Sequence, residues 1–125
     1  MKVWLDYNQE ELDYNYNQRA LVTNWEEYLH YFNAESKRVR AKLDSQLDIS
    51  YGPSKDQMLD VFPAANSGSP VVVYIHGGAW TRTHKDTNSF QAEAFVAAGA
   101  TFVSVHFGLV PNVTLGEQVA HNRTA

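Results

Sequence analysis

Apolar residues change their spacing once along this chain, near Leu43, and the change divides it into two kinds of structure. Up to that point the repeat is helical. Asn8 stands just before Glu10 and Glu11, so its side chain can cap the first free amides of a helix while two carboxylates sit at the positive end of the dipole. Trp25, Tyr28, Leu29, Phe32 and Val39 then recur at about helical spacing, and Thr23-Asn24-Trp25-Glu26 has the form of a capping box. A second helix is predicted from there to about Leu43. Beyond it the period becomes extended. Residues 47–51 alternate apolar and polar and stop at Gly52-Pro53, the pattern of a half-exposed strand, and Met58–Phe62 is the expected hairpin partner. Val71–Ile75 is apolar at every position and rich in β-branched residues, as a central strand covered on both faces would be, and residues 100–105 share that character. Between these runs Phe90, Ala94, Phe95 and Ala98 form a helical stripe, with Thr87 or Asn88 as cap and Gly99 as stop. Strand, helix and strand in that order imply a right-handed parallel crossover. A last helix is expected from the capping box Thr114-Leu115-Gly116-Glu117. The predicted fold class is therefore α/β: N-terminal helices, a β-hairpin, then the first parallel strands with their crossover helix. One domain over residues 1–125 is expected, with 1–43 as its helical segment and 44–125 as the start of a sheet core.

Composition narrows the possible partners. A chain of 125 residues that is 44% apolar can bury roughly two thirds of its unfolded surface, enough for one core. Its net charge of −4, with Lys37, Arg38, Arg40 and Lys42 as its one basic cluster, argues against a nucleic-acid or anionic-membrane surface. The absence of cysteine removes disulfides, thiolate metal sites and thiol redox chemistry. Asp44, Asp48, Asp56 and Asp60 do not have the spacing of a calcium loop, so no metal or other cofactor is expected. The first residues carry no signal-peptide pattern and no run is long enough to span a bilayer, from which a cytoplasmic location is expected.

The chemistry is concentrated in His76-Gly77-Gly78-Ala79-Trp80, directly after the Val71–Ile75 run. Adjacent glycines let the backbone bend without a Cβ clash and turn N–H groups outward, where they can bind an oxyanion forming during acyl transfer. His76 is expected to orient this turn through hydrogen bonds, and Trp80 to line a pocket or pack on the sheet. His84, His106 and His121 have no serine or carboxylate at an informative spacing and are read as surface or structural groups. The eight serines include none between glycines on a strand-to-helix elbow, and Ser104 lies inside a predicted strand. No catalytic triad is therefore found among these residues, and the chain alone is expected to be inert.

Tyr14-Asn15-Tyr16-Asn17-Gln18-Arg19-Ala20, Tyr51-Gly52-Pro53, Leu59-Asp60-Val61-Phe62-Pro63, the HGGxW turn and residues 113–123 together resemble the N-terminal portion of an α/β-hydrolase of the arylformamidase (kynurenine formamidase) type, related to the hormone-sensitive-lipase-like esterases. His106-Phe107-Gly108-Leu109-Val110-Pro111 departs from the Tyr-Arg-Leu-Ala-Pro wording common in those enzymes. The resemblance implies an incomplete α/β-hydrolase fold whose backbone amides at Gly77, Gly78 and Ala79 form an oxyanion hole. It implies a small acyl substrate, an N-formylkynurenine-like aryl formamide or an ester, cleaved through a serine acyl-enzyme without a cofactor. The family's Ser, Asp and His would follow later in the chain. A complementary C-terminal half or a second copy of the chain is the implied partner. Two other readings stand beside this one: a non-catalytic interaction module, and a protein that holds small anions on the Gly77-Gly78 amides.

Overall fold

The computed structural model describes every residue from Met1 to Ala125, and the backbone groups into two units, Met1–Tyr31 and Phe32–Ala125. In the first unit β1 (Lys2–Trp4) and β2 (Tyr7–Asn8) form an antiparallel ribbon, followed by α1 (Gln9–Tyr16) and α2 (Gln18–Leu21). The ribbon was not expected, because three residues are too few to show an alternation. Asn8 caps α1 as predicted: its Oδ1 accepts from the Glu11 amide at 2.9 Å and Glu11 Oε2 accepts from the Asn8 amide at 2.8 Å. Neither helix buries a residue.

The predicted second helix is α3 (Trp25–Lys42), which runs across the boundary between the units. Its start differs from the expectation. Thr23 and Glu26 make no box; the Asn24 carbonyl accepts from the Glu27 amide at 3.1 Å, and Asn24 Nδ2 reaches Glu27 Oε2 at 3.4 Å. The first turn of α3 is therefore fastened by Asn24 and Glu27, one residue later than the expected box.

The second unit contains a four-stranded sheet in the order β3-β4-β6-β5, made of β3 (Gln46–Ser50), β4 (Met58–Phe62), β5 (Val71–Ile75) and β6 (Thr101–Val105). β3 and β4 form the predicted antiparallel hairpin, and β4 also runs antiparallel to β6. β5 and β6 are parallel and in register from Val71 opposite Thr101 to Ile75 opposite Val105, as the crossover required. The crossover helix, α4 (Ala92–Ala97), is shorter than its stripe suggested and is preceded by two 3-10 turns, Lys85–Thr87 and Ser89–Gln91. Gly99, at φ +87°, ends it in the backbone region that favours glycine. α5 (Leu115–Thr124) begins at the predicted box, with Thr114 Oγ1 accepting from the Glu117 amide at 3.2 Å.

The core lies on one face of this sheet. Val39 of α3 and Ala92 of α4 close over Phe62 and Phe102, with Val72 and Tyr74 packed alongside. The alternate residues of β5 point the other way: Val71, Val73 and Ile75 are 59%, 58% and 51% exposed. β5 is thus an edge strand covered on one face, not the doubly covered central strand its composition suggested. A continuous apolar run measures only how much burial a strand tolerates; which faces are covered depends on what packs there. No helix of the molecule is long and apolar enough to cross a membrane.

Candidate active site

β5 delivers the chain directly into the His76-Gly77-Gly78-Ala79-Trp80 turn. The backbone there winds the unusual way: φ is +126° at Gly78, +50° at Ala79 and +63° at Trp80. The Gly78 carbonyl closes this turn by accepting from the amides of Thr81 at 3.1 Å and Arg82 at 3.2 Å. A Cβ on Gly78 would overlap the Arg82 carbonyl oxygen, whereas one on Gly77 would meet nothing. Only Gly78 is therefore irreplaceable on steric grounds. Ala79 and Trp80 hold left-handed geometry without that freedom, each at a cost of roughly 1–2 kcal/mol. Surrounding structure has to hold them there.

Two sets of buried polar contacts do so. The first is centred on His76, which is almost wholly buried. His76 Nδ1 lies 2.9 Å from the Gly77 carbonyl and 2.8 Å from Thr83 Oγ1, and Thr83 Oγ1 in turn donates to the Gly77 carbonyl. A carbonyl can only accept, so the proton is assigned to His76 Nδ1 and the Nε2 lone pair is left to accept. Its partner is His106 Nδ1, 3.1 Å away, which must then be the donor. Burial pushes the pKa of His76 below the ordinary histidine value. Burial, joined by repulsion from His84, His76 and Lys85, pushes His106 down to about 3. Both rings are neutral at pH 7, as this pairing requires, and Phe107 stacks on His76 with centroids 4.5 Å apart.

The second set is ionic. Lys85 is fully buried, with Nζ 2.5 Å from Asp48, 2.8 Å from Asp60 and 2.9 Å from Asp86. Asp60 is fully buried as well and takes a further ion pair from Arg40 and a bond from the Asp48 amide at 2.8 Å. Burial opposes the charge on Lys85, but the three carboxylates more than offset it and hold its pKa above the usual value. The chain segment after the turn is thereby pinned to β3, β4 and α3.

An open cleft of about 830 Å³ lies against the turn. Gly77, Gly78, Ala79 and Trp80 form one wall, and Leu115, Gln118 and Val119 of α5 form the other. The amides of Gly77, Gly78 and Ala79 have no acceptor within the molecule. The walls meet at the Trp80 carbonyl, which accepts from Gln118 Nε2 and from the Val110 amide, both at 2.9 Å. Trp80 is 64% exposed and lines the cleft. No serine lines the cleft, and Ser104 is buried with its hydroxyl toward the Lys85 carbonyl at 3.4 Å.

No family model matches the chain. It is 32% identical over 90 residues to kynurenine formamidase of Danio rerio, a match that takes in 70% of this chain and 31% of that protein. Among solved structures it superposes on a candidate thioesterase from Silicibacter sp. TM1040 with a TM-score of 0.80, at 24% identity, over 87% of this chain and 42% of the other. The chain is arylformamidase-like. Esterase B from Lactobacillus rhamnosis matches with a TM-score of 0.61 at 20% identity, over 84% of this chain and 38% of that one. The fold of this arylformamidase-like chain is that of an α/β-hydrolase, represented by a four-stranded sheet. The chain spans about a third of the length of the formamidase it matches.

The structure brings together the five predicted site residues, His76 to Trp80, at one edge of the cleft. His84 and His106 join His76, with the His84 and His106 rings 3.8 Å apart, while His121 stands apart and accepts from the Gly108 amide at 3.2 Å. The three clustered histidines form no group that could hold a metal ion. The pairing of His106 with His76 went unread, although a signal existed: each parallel strand is followed at once by a histidine, and an in-register pair places them side by side. Lys85 and Gln118 gave no such signal. Lys85 sits in a polar stretch, Thr81-Arg82-Thr83-His84-Lys85-Asp86, that reads as solvated.

Proposed function

We propose that this chain supplies the oxyanion-binding half of a serine hydrolase site acting on small aryl formamides or carboxylic esters. One observation carries the reading: three consecutive amides without an internal acceptor line a largely apolar cleft, on a turn held by buried contacts. When a nucleophile adds to a formamide or ester carbonyl, negative charge collects on the oxygen, and preformed donors at that point are worth about 2.7–4 kcal/mol each. Gly77, Gly78 and Ala79 are assigned as those donors. His76 acts as a positioning residue through the Gly77 carbonyl, and Trp80 forms part of the acyl or aryl pocket. The kynurenine formamidase relative makes N-formylkynurenine-like aryl formamides the first substrates to test. Serine, acid and base are assigned to polypeptide beyond these residues, in the same protein or a partner, and residues 1–125 are taken to form one hydrolase domain with it. A cysteine-free chain suits a cytoplasmic setting.

Mixing the chain with a complementary C-terminal hydrolase segment and assaying p-nitrophenyl acetate and N-formylkynurenine should give turnover that Gly78→Pro removes. A reassembled protein without activity, or one indifferent to Gly78→Pro, would refute the assignment.

A second reading has its own support in the exposed Val71, Val73 and Ile75 of an edge strand, an apolar surface of the kind that pairs with another chain. As a non-catalytic interaction module the chain would sediment as an oligomer or bind a partner without any hydrolytic role. A chain that neither self-associates nor binds another polypeptide through β5 counts against this second reading.

A further inference from the structure

The charges around the cleft are distributed unevenly. Of the five arginines, Arg38 and Arg40 are in ion pairs and Arg19 lies over the Trp25 ring at 4.1 Å. The two that remain, Arg82 and Arg123, have no ion pair or side-chain hydrogen bond, and both line the cleft. No carboxylate lines it, although the chain carries 14 acidic residues and a net charge of −4. Elsewhere Lys2, Arg38, Arg40 and Lys42 meet carboxylates, as does the buried Lys85 with three of them. At the cleft it leaves two guanidinium groups unmatched beside an apolar surface.

A guanidinium offers paired donors that match both oxygens of a carboxylate, and such charge-assisted bonds are the strong ones. The apolar lining, Trp80, Phe107, Leu109 and Val119 among it, suits an aromatic or aliphatic body. We infer that Arg82 and Arg123 are specificity-determining residues that select ligands carrying a carboxylate on an acylated arene, in preference to neutral aryl amides and esters. This inference rests on reading the cleft as the acyl-transfer site. It adds the charge of the ligand and the residues that read it. Arg82 is four residues past the glycine that closes the turn, and Arg123 is on α5, so the two arginines stand on opposite walls. An anionic ligand held by both would bridge the cleft with its acyl group beside the free amides.

The test is binding, which needs no nucleophile. The 125-residue chain is titrated calorimetrically with N-formylanthranilate, its methyl ester and formanilide, as wild type and as Arg82→Gln/Arg123→Gln. Both positions are exposed, so the double variant should keep the wild-type melting curve. The acid should bind at least about tenfold more tightly than the ester, the usual scale for one good charge-assisted contact. That preference should shrink as salt is raised and vanish in the double variant, with ester affinity unchanged. Equal affinity of wild type for acid and ester, or a preference that survives in the double variant, overturns the inference. If formanilide binds and the acid gains nothing, the arginine assignment fails and the hydrolase reading stands. A strong preference for the acid in a protein whose reassembled form hydrolyses neither compound supports the arginine assignment and removes the hydrolase reading. Absence of binding by all three ligands overturns the inference.

Discussion

The two walls of the cleft are held by different physics. The α5 wall is regular: a capping box starts it, intrahelical bonds continue it, and Gln118 makes its one side-chain bond to the opposite wall. Apart from that bond and the one His121 accepts from the Gly108 amide, its bonds are local, and each is worth about 1 kcal/mol. The turn wall is irregular, with three successive positive φ values. It holds its shape through contacts made far along the chain, Lys85 with Asp48 and Asp60 and His76 with His106. A wall built from local bonds can fray gradually. One braced by buried charge either stands or collapses, because a buried ion that loses its partner is far worse than no ion at all.

Removing Lys85 is the strongest way to break this contrast. Lys85→Met leaves the buried Asp60 with Arg40 as its remaining cation, and urea unfolding should show a loss of about 3–5 kcal/mol. Adding Asp60→Asn should recover part of that loss, which a simple packing defect would not allow.

Acid should act next, through the same wall. The folded-state pKa of His106, about 3, lies below its ordinary value of 6.5, so on acidification the unfolded chain takes up the proton first. Stability from neutral His106 is complete above pH 6.5 and is lost as pH falls toward about 3. Unfolding free energies measured across that window should fall by a few kcal/mol in the wild type, with a clearly shallower slope in His106→Gln. The same slope in both proteins would assign the acid sensitivity to the carboxylates.

The glycines sharpen the contrast within the turn itself. Gly78→Ala combines overlap at the Arg82 carbonyl with a backbone angle closed to alanine, and should cost about 2 kcal/mol or more. Gly77→Ala, with open space at its Cβ, should stay within about 0.5 kcal/mol. Thermal melts of the pair check this, and equal losses would mean that the turn is not held as described.

The smallest loss expected from removing a contact belongs to the helical wall. Thr114→Ala should cost about 1 kcal/mol and speed amide exchange in the first turn of α5 while leaving residues 76–83 unchanged.

How far the sequence could be read follows the same division. The α5 start, the Asn8 cap, the hairpin and the parallel pair were all legible, because each is set by residues within a few positions of one another or by a sustained period. The Gly77-Gly78 turn was legible as a bend that needs glycine. What braces it was not, since Lys85 meets Asp48 and Asp60 only after β3 and β4 have paired. The coverage of β5 was misread for a related reason. Val71–Ile75 tolerates burial on both faces, yet no element packs over Val71 and Val73. At the start of α3 the Thr23–Glu26 spacing had the form of a box, yet the side-chain contact that forms is between Asn24 and Glu27, one residue later.

Trp80 joins a fixed peptide to a free ring: two donors fasten its carbonyl while the indole stands in solvent at the rim of the cleft. The other two tryptophans, Trp4 and Trp25, lie in the Met1–Tyr31 unit. The protein consequently carries its own fluorophore at the place where a ligand would arrive. Emission from that indole should shift or quench on occupancy, without a label and without turnover.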